Sequence, residues 1–520
     1  MEKNQPARIR EAMLRAVKHR ITNDDFDLHA HLKDLLAGVG MTPEDCGGRI
    51  TFSKKDPLIP STLRLGGLPA IALVAQSVAA ANLWRMRGGL GQDISVDLGQ
   101  AARRLAPVTE FKWETLNGLP SDPEDRNVMA YQRYYKTKDG RHVMPQNIYP
   151  IIRAKMLKVL DTSDDQAALE KAFLKYTGDE LEALGEEHGI VMCKVRSVEE
   201  FVKEPVFDYL AARPLIEIDK IADSPPEPLP EWGTHPLSGI RALGMAHVVA
   251  GAGCGRSLAA LGADCLNVWR FGETEQALVF ASSNIGVRST RLNVRAKDGL
   301  EKVYELLRDA DIFYANRRPG LLKTLKVDLD SAIKVRPGLI HVTVSLWGEG
   351  GPWAKRIGFD QIAGTGTGVS AAEGSLENPL LPPTMIVNDY LVGWFASIGA
   401  MAALARRATE GGSYRVHVSL GRCAMWCISL GLFDWDYVRS VVGKSEEHKL
   451  IDPQLFTSLT PLGIYQGVTE NVTLSRTPHH FMNVLSPRGA DQPEWLPRPK
   501  LFDAEAFLKA VAPKGFRGGA

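Results

Sequence analysis

The sequence predicts an α/β protein: a Rossmann-like parallel sheet with helices on its faces, joined to a smaller α+β domain. Three observations carry that expectation. After a proline-rich break at 224–236, SPPEPLPEWGTHP, short apolar runs alternate with helix-length segments, as the crossovers of a parallel sheet require. One helix-turn-strand pattern occurs twice, at 60–99 and 382–421, without a gap and at a constant offset of 322. A chain of 520 residues also exceeds what one hydrophobic core serves, so several units are expected.

Beyond the break, strands are expected at Ile240–Met245 and Cys265–Trp269, separated by a glycine-containing turn and a helix near Gly255–Leu261. A helix over Gly299–Asp309 and strands at Ile312–Ala315 and Leu339–Ser345 continue the alternation. In the repeats, Pro60/Pro382, Thr62/Thr384, Arg85/Arg407 and Gly89/Gly411 are identical, and both copies end in V-x-L-G. Each copy reads as an apolar helix, a basic glycine-rich turn and an alternating strand, which makes a true internal duplication the better explanation. The smaller domain is placed near 130–225, with a hairpin turning at Asp139-Gly140. The divisions are thus an extension (1–55), a first segment (56–235), a Rossmann-like segment (236–430) and a tail with no assigned role (431–520).

Apolar residues make up 44% and charged residues 24%, while 62 Lys plus Arg balance 61 Asp plus Glu. Partners that need a basic excess, nucleic acid and anionic membrane, are not expected, and a small molecule is. Six cysteines without framework spacing point to a reduced, cytoplasmic compartment. The N-terminus, MEKNQPARIREAMLRAVKHR, has no apolar core of a secretion signal and reads as an amphipathic helix. The longest charge-free apolar run is taken as Tyr390–Ala405, whose 16 residues fall short of a membrane span and predict a buried helix. His479-His480 lack carboxylate or thiolate partners at metal-like spacing, so no metal is expected, and Cys423 and Cys427 read as core residues.

Gly251-Ala252-Gly253-Cys254-Gly255, between a strand and a helix, is the kind of place where backbone N–H groups receive phosphate. A dinucleotide fingerprint fails there, because position 256 is Arg and the next strand ends in Trp269-Arg270 with no acid for a ribose diol. Arg256, Arg270 and Arg317-Arg318 point instead to a ligand with several phosphates.

The segments HPLSGIRALGMAHVVAGAGCGRSLAALGADCLNVWR, NIGVRSTRLNV, ADIFYANRRPGLL, LIHVTVSLWGEGGPWAKRIGFDQIAG and NDYLVGWFASIGAMAALARR follow one another in residues 236–430. In that order they resemble the first part of the family III CoA-transferases, which include formyl-CoA transferase, carnitine CoA-transferase and α-methylacyl-CoA racemase. LGQDISVDLGQA, YYKTKDGRHV and HGIVMCKVRSVEEFVKEPVFDYLAARPLIEI, in the first segment, resemble the family's later part. The two parts therefore stand in exchanged order.

The resemblance implies that Asp389, at the start of an apolar helix, is the nucleophile of a CoA transfer from acyl-CoA to a carboxylic acid. It also implies coenzyme A contacts at Val248, Val249, Ala250, Arg270, Leu292, Asn316 and Arg317, and an interlaced homodimer. Taken locally, an Asp before a helix is equally a favoured N-cap. Position 67, which matches 389 in the duplication, is Gly, so one nucleophile per chain is expected. Racemases of the family resemble G-H-D where this chain has Gly358-Phe359-Asp360; Phe359 carries no proton, and Asp360 is expected to cap a turn or form a salt bridge, with acid/base work as the alternative. Alternatives from other classes are a non-catalytic CoA-binding scaffold and a racemase or hydratase of the same fold.

Overall fold

The computed structural model describes residues 5–120, 126–231 and 233–498; Trp232 of the proline-rich break and positions 499–520 of the tail lie outside the described residues. The chain opens with helices α1 (Gln5–Lys18) and α2 (Leu28–Ala37), the latter capped by the Asp27 carboxylate on Ala30 N at 3.0 Å. Strand β1 (Ile50–Ser53), helix α3 (Gly67–Met86) and strand β2 (Ile94–Asp97) follow. Helix α3 corrects the sequence reading of apolar runs. Its 20 residues are long and apolar enough to cross a membrane, and 89% of the most apolar window is buried inside the protein. A helix apolar all round needs neighbours all round, and here protein supplies them.

The smaller unit packs its own core within residues 128–192, whereas 198–216, expected to belong to it, joins the main core. The expected hairpin pairs Tyr135–Lys136 with His142–Met144, and Gly140 takes φ +74° in its turn. Helices Pro150–Leu160, Gln166–Phe173 and Gly178–His188 close over it around Met156, Leu169, Phe173 and Leu181.

The chain then runs through β3 (Glu217–Ala222), β4 (Arg241–Met245), helix α4 (Ala250–Ala260), β5 (Asp264–Trp269), β6 (Arg288–Arg291), β7 (Ile312–Ala315) and β8 (Ile340–Ser345). Helix α5 (Asn388–Glu410), β9 (Ser413–Ser419) and β10 (Val472–Leu474) complete the framework. The large sheet has the order β6-β5-β4-β7-β8-β9-β3, parallel except for β3 against β9. Its order reverses at β4, so the loops after β4 and β7 part and leave a crevice at the strands' C-terminal ends.

The glycine run 251–255 is not a turn, because α4 starts at Ala250 and contains it. Close packing explains the glycines: a Cβ on Gly251 would sit 2.6 Å from the Asn316 side chain, and one on Gly255 2.4 Å from Tyr314 Oη. Gly253 meets Gly393 of α5, with 3.7 Å between its Cβ position and the Gly393 Cα.

The duplication is visible in three dimensions. Helices α3 and α5 start at positions 67 and 388, while β2 and β9 end at Asp97 and Ser419, each of which caps the next helix through its side chain. The two helices pack together, and Gln76 Nε2 donates to Ser397 Oγ at 2.6 Å between them. Each repeat strand lies between one parallel and one antiparallel neighbour: β2 between β1 and β10, β9 between β8 and β3. The antiparallel neighbours are exchanged, since β3 ends the first segment and β10 lies in the C-terminal region. The proline-rich break thus divides the chain but not the sheets.

Candidate active site

A cavity of roughly 810 Å³ opens at the C-terminal ends of the large sheet. One wall comes from the loops after β4, β5 and β7, and another from Tyr149, Pro150, Ile151, Ile152 and Val191 of the smaller unit. Asp389, in the first turn of α5, lies on its lining and is 5% exposed.

The Asp389 carboxyl does not cap its helix. Asp360 does so instead: its Oδ2 accepts from Val387 N at 3.0 Å and Asp389 N at 2.7 Å. Among the described residues no hydrogen bond or ion pair engages the Asp389 carboxyl, which is left to face the cavity. Burial and the adjacent Asp360 carboxyl raise its pKa well above the usual carboxylate range. Burial raises Asp360 to about 6, against the pull of the backbone N–H groups it accepts from.

A third buried carboxyl, that of Glu275, braces the loop after β4. Glu275 is 5% exposed; its Oε2 accepts from Val248 N at 2.7 Å, and its Oε1 from Tyr149 Oη at 2.7 Å. Burial raises its pKa, opposed by those two donors. Val248 takes φ +60°, a costly conformation for a β-branched residue, so the Glu275 contact holds a strained loop in place. The Tyr149 ring lies 5.7 Å from that of Phe359, bringing the smaller unit against the turn that precedes Asp360.

Of the residues expected at the ligand, Val248, Ala250, Arg270, Asn316 and Arg317 line the cavity with Asp389. Two do not. Val249 is 2% exposed and packs into the core, and Leu292 packs beneath β5 and β7 while its successors Asn293, Val294 and Arg295 reach the cavity. Val249 departs because it stands at the N-cap of α4 with helical backbone angles, φ −108° and ψ −53°, which turn its side chain into the core. Asn316 also holds the loop after β4, accepting from His247 N at 3.0 Å and donating to His247 O at 2.8 Å. Arg317 donates to Met245 O at 2.7 Å and pairs with Glu273. Arg256, read from sequence as a phosphate ligand, is buried away from the cavity and pairs with Glu470 at 2.7 Å. Sequence reasoning missed Tyr149, Glu273 and Glu275, which carry no local motif and meet only through tertiary contact.

Comparison with known proteins places these features. CoA-transferase family III matches residues 53–220 and 237–512, the second match running on through the tail. The acetyl-coenzyme A transferase nodX of Hypoxylon pulicicidum is 28% identical over 361 residues, covering 64% of this chain and 60% of that protein. The β subunit of succinyl-CoA–L-malate CoA-transferase from Chloroflexus aurantiacus is 30% identical over 207 residues, 37% of this chain and 51% of that protein. The formyl-CoA:oxalate CoA-transferase of Escherichia coli is 28% identical over 197 residues, 36% of this chain and 47% of that protein. The chain thus spans between about half and three-fifths of these relatives' length. A solved CAIB/BAIF family protein from Brucella suis is 25% identical, covering 45% of this chain and 65% of that one with a TM-score of 0.35. With matches over both segments and most of its length, the chain belongs to CoA-transferase family III.

Proposed function

We propose that this chain transfers CoA from an acyl-CoA to a carboxylic acid, with Asp389 as the nucleophile. The observation that carries the reading is the division of labour at the start of α5, where Asp360 caps the helix and leaves the Asp389 carboxyl unbonded in the cavity. In the first step the Asp389 carboxylate attacks the thioester carbonyl, the C–S bond breaks, and CoA leaves as thiolate from a mixed anhydride. The thiolate then attacks the aspartyl carbonyl, releases the first acid and forms an aspartyl-CoA thioester. The incoming carboxylate reverses both steps and leaves as its own CoA ester, so no bond energy from ATP is consumed.

Tetrahedral oxyanions form at each step and need donors. The first N–H groups of α4 have no partners within their helix, and Ala250 at its start lines the cavity. Arg270 and Arg318, whose guanidinium groups crowd each other at the mouth, suit the phosphates of CoA. The exchange of β3 and β10 between the repeats supports an order of parts exchanged relative to other members of the family.

The test is trapping. Incubation with acyl-CoA, quenching with hydroxylamine and peptide mapping should convert one residue per chain, Asp389, to its hydroxamate. Transfer without modification of Asp389 overturns the mechanism, and no turnover with any donor overturns the activity.

A further inference from the structure

Each copy of the duplicated unit keeps a part that the other lacks. In the first, β1, α3 and β2 lead on to the smaller unit and β3; in the second, β8, α5 and β9 lead on to the tail and β10. Their correspondence reaches beyond the aligned positions. The matched residues Arg85 and Arg407 each hold the loop before a parallel neighbour strand: Arg85 Nη1 donates to Asp45 O at 3.0 Å, ahead of β1, and Arg407 Nη1 to Gly338 O at 3.2 Å, ahead of β8. Ile94 and Val416, also matched, stand between Ile50 and Leu474 in one sheet and between Val342 and Ile218 in the other. The late strand of each copy is therefore paired in the other copy's sheet, β3 beside β9 and β10 beside β2. Two such strands mark two copies, since one permuted copy would supply only one.

The helices between the sheets meet in the same reciprocal way. Gln76 of α3, whose counterpart is Ile398, bonds Ser397 of α5, so the helices cross at nearly corresponding positions, as elements of a two-fold interface do. The contact buries α3 from Gly67 through Ala81 and α5 from Asn388 through Leu404. One crevice results. Asp389 and the large sheet's strands β4 to β8 belong to the second copy, while Tyr149, Ile152 and Val191 of the first copy's smaller unit wall the cavity opposite. Tyr149 Oη joins the two by donating to Glu275 of the second copy at 2.7 Å. Among the described residues the first copy's own sheet has three strands, β1-β2-β10, and carries Gly67 where the second copy has its carboxyl.

We infer that one chain is the whole catalytic unit: its two unequal copies form a two-fold pair internally, the first contributes its smaller unit to the crevice of the second, and no partner subunit completes the site. The homodimer that the family resemblance implies is thus formed within one chain. A two-fold interface uses the same patch on both partners, and here each copy's patch, the helix face and the strand edge beside β2 or β9, is already covered by the other copy. The assembly stands on strand pairing; that the assembled crevice is catalytic rests on the CoA-transfer reading.

Ser95 and Thr473, directly opposed on β2 and β10 and both exposed, provide the test. Opposed residues of an antiparallel pair lie about 4.5–5.5 Å apart at Cα, within reach of a disulfide. The native cysteines are all buried and do not compete. In Ser95→Cys/Thr473→Cys treated with a mild oxidant, the expected product is an intrachain disulfide that migrates as a single chain without reductant. An equal mixture of the two single variants should form no linked pair. Sedimentation equilibrium of the unsubstituted chain should give the mass of one chain, with turnover per chain unchanged over about a thousandfold dilution. No disulfide in the double variant, a disulfide joining two chains, or a dimer whose turnover falls as it dissociates overturns the inference. Absence of transfer in a chain whose strands link internally overturns the CoA-transfer reading and leaves the assembly standing.

Discussion

Helices α3 and α5 are copies of one element that have reached opposite ends. Both start on a buried aspartate from elsewhere in the chain: Asp56 accepts from Gly66 N at 2.9 Å and Gly67 N at 2.6 Å, much as Asp360 holds Val387 and Asp389. Only α5 adds a second carboxyl and a cavity. At α3 the matching residue is Gly67, and Phe26 and Leu28 of the N-terminal extension lie 3.4 and 3.5 Å from where its Cβ would be. Arg64 covers the same spot, its guanidinium 3.9 Å over the Phe26 ring. The difference teaches that the capping aspartate is structural in both copies, and that only the second copy adds a free carboxyl facing open space.

The largest expected effect comes from moving the proposed nucleophile between copies. Asp389→Asn should lower transfer by a factor of about 1,000 or more, while Gly67→Asp should leave hydroxamate formation at one residue per chain. The Gly67→Asp side chain would start 3.1 Å from Asp56 Oδ2 in a closed site, so it should destabilise the fold by about 3 kcal/mol or more, read by denaturant unfolding.

Asp389 and Asp360 both have raised folded-state pKa values, so between pH 3.8 and about 6 the folded chain holds protons that the unfolded chain has lost. Their contribution to stability therefore falls as pH rises through that window and stays unfavourable above it. Asp389→Asn should accordingly be more stable than the parent by about 1 kcal/mol at pH 8, with the gain vanishing toward pH 4.

Asp360→Asn keeps an oxygen for the helix N-terminus but removes the neighbouring charge. The acidic limb of the kcat/KM profile should then move to lower pH, because Asp389 ionises more readily. The smallest effect on activity falls on the first copy. Asp56→Ala leaves two buried N–H groups unpaired and should cost about 2 kcal/mol in unfolding experiments, with kcat per folded molecule unchanged. A displacement of the acidic limb matching that of Asp360→Asn would show the two caps to be functionally alike.

Much of this was legible in the sequence. The strand at 312–315 falls where apolar patterning puts it, and the duplication and the position of Asp389 at a helix start are properties of linear order. Other features were not. The glycine run reads as a loop because close packing and positive φ make the same demand for glycine. Arg256 reads as a ligand because its partner, Glu470, lies 214 residues away.

Sequence alone thus determined the α/β class, the repeated helix and strand, the glycine at 67 where the other copy carries Asp389, and the family motifs around Asp389. These depend on periodicity and residue type, which neighbours along the chain are enough to specify. Tertiary structure alone decided that Asp360 rather than Asp389 caps α5, that Tyr149 and Glu275 meet beside it, and that the extension closes the silent copy. Each of those depends on side chains distant in sequence competing for the same buried N–H groups or the same space, and only the fold determines which of them wins.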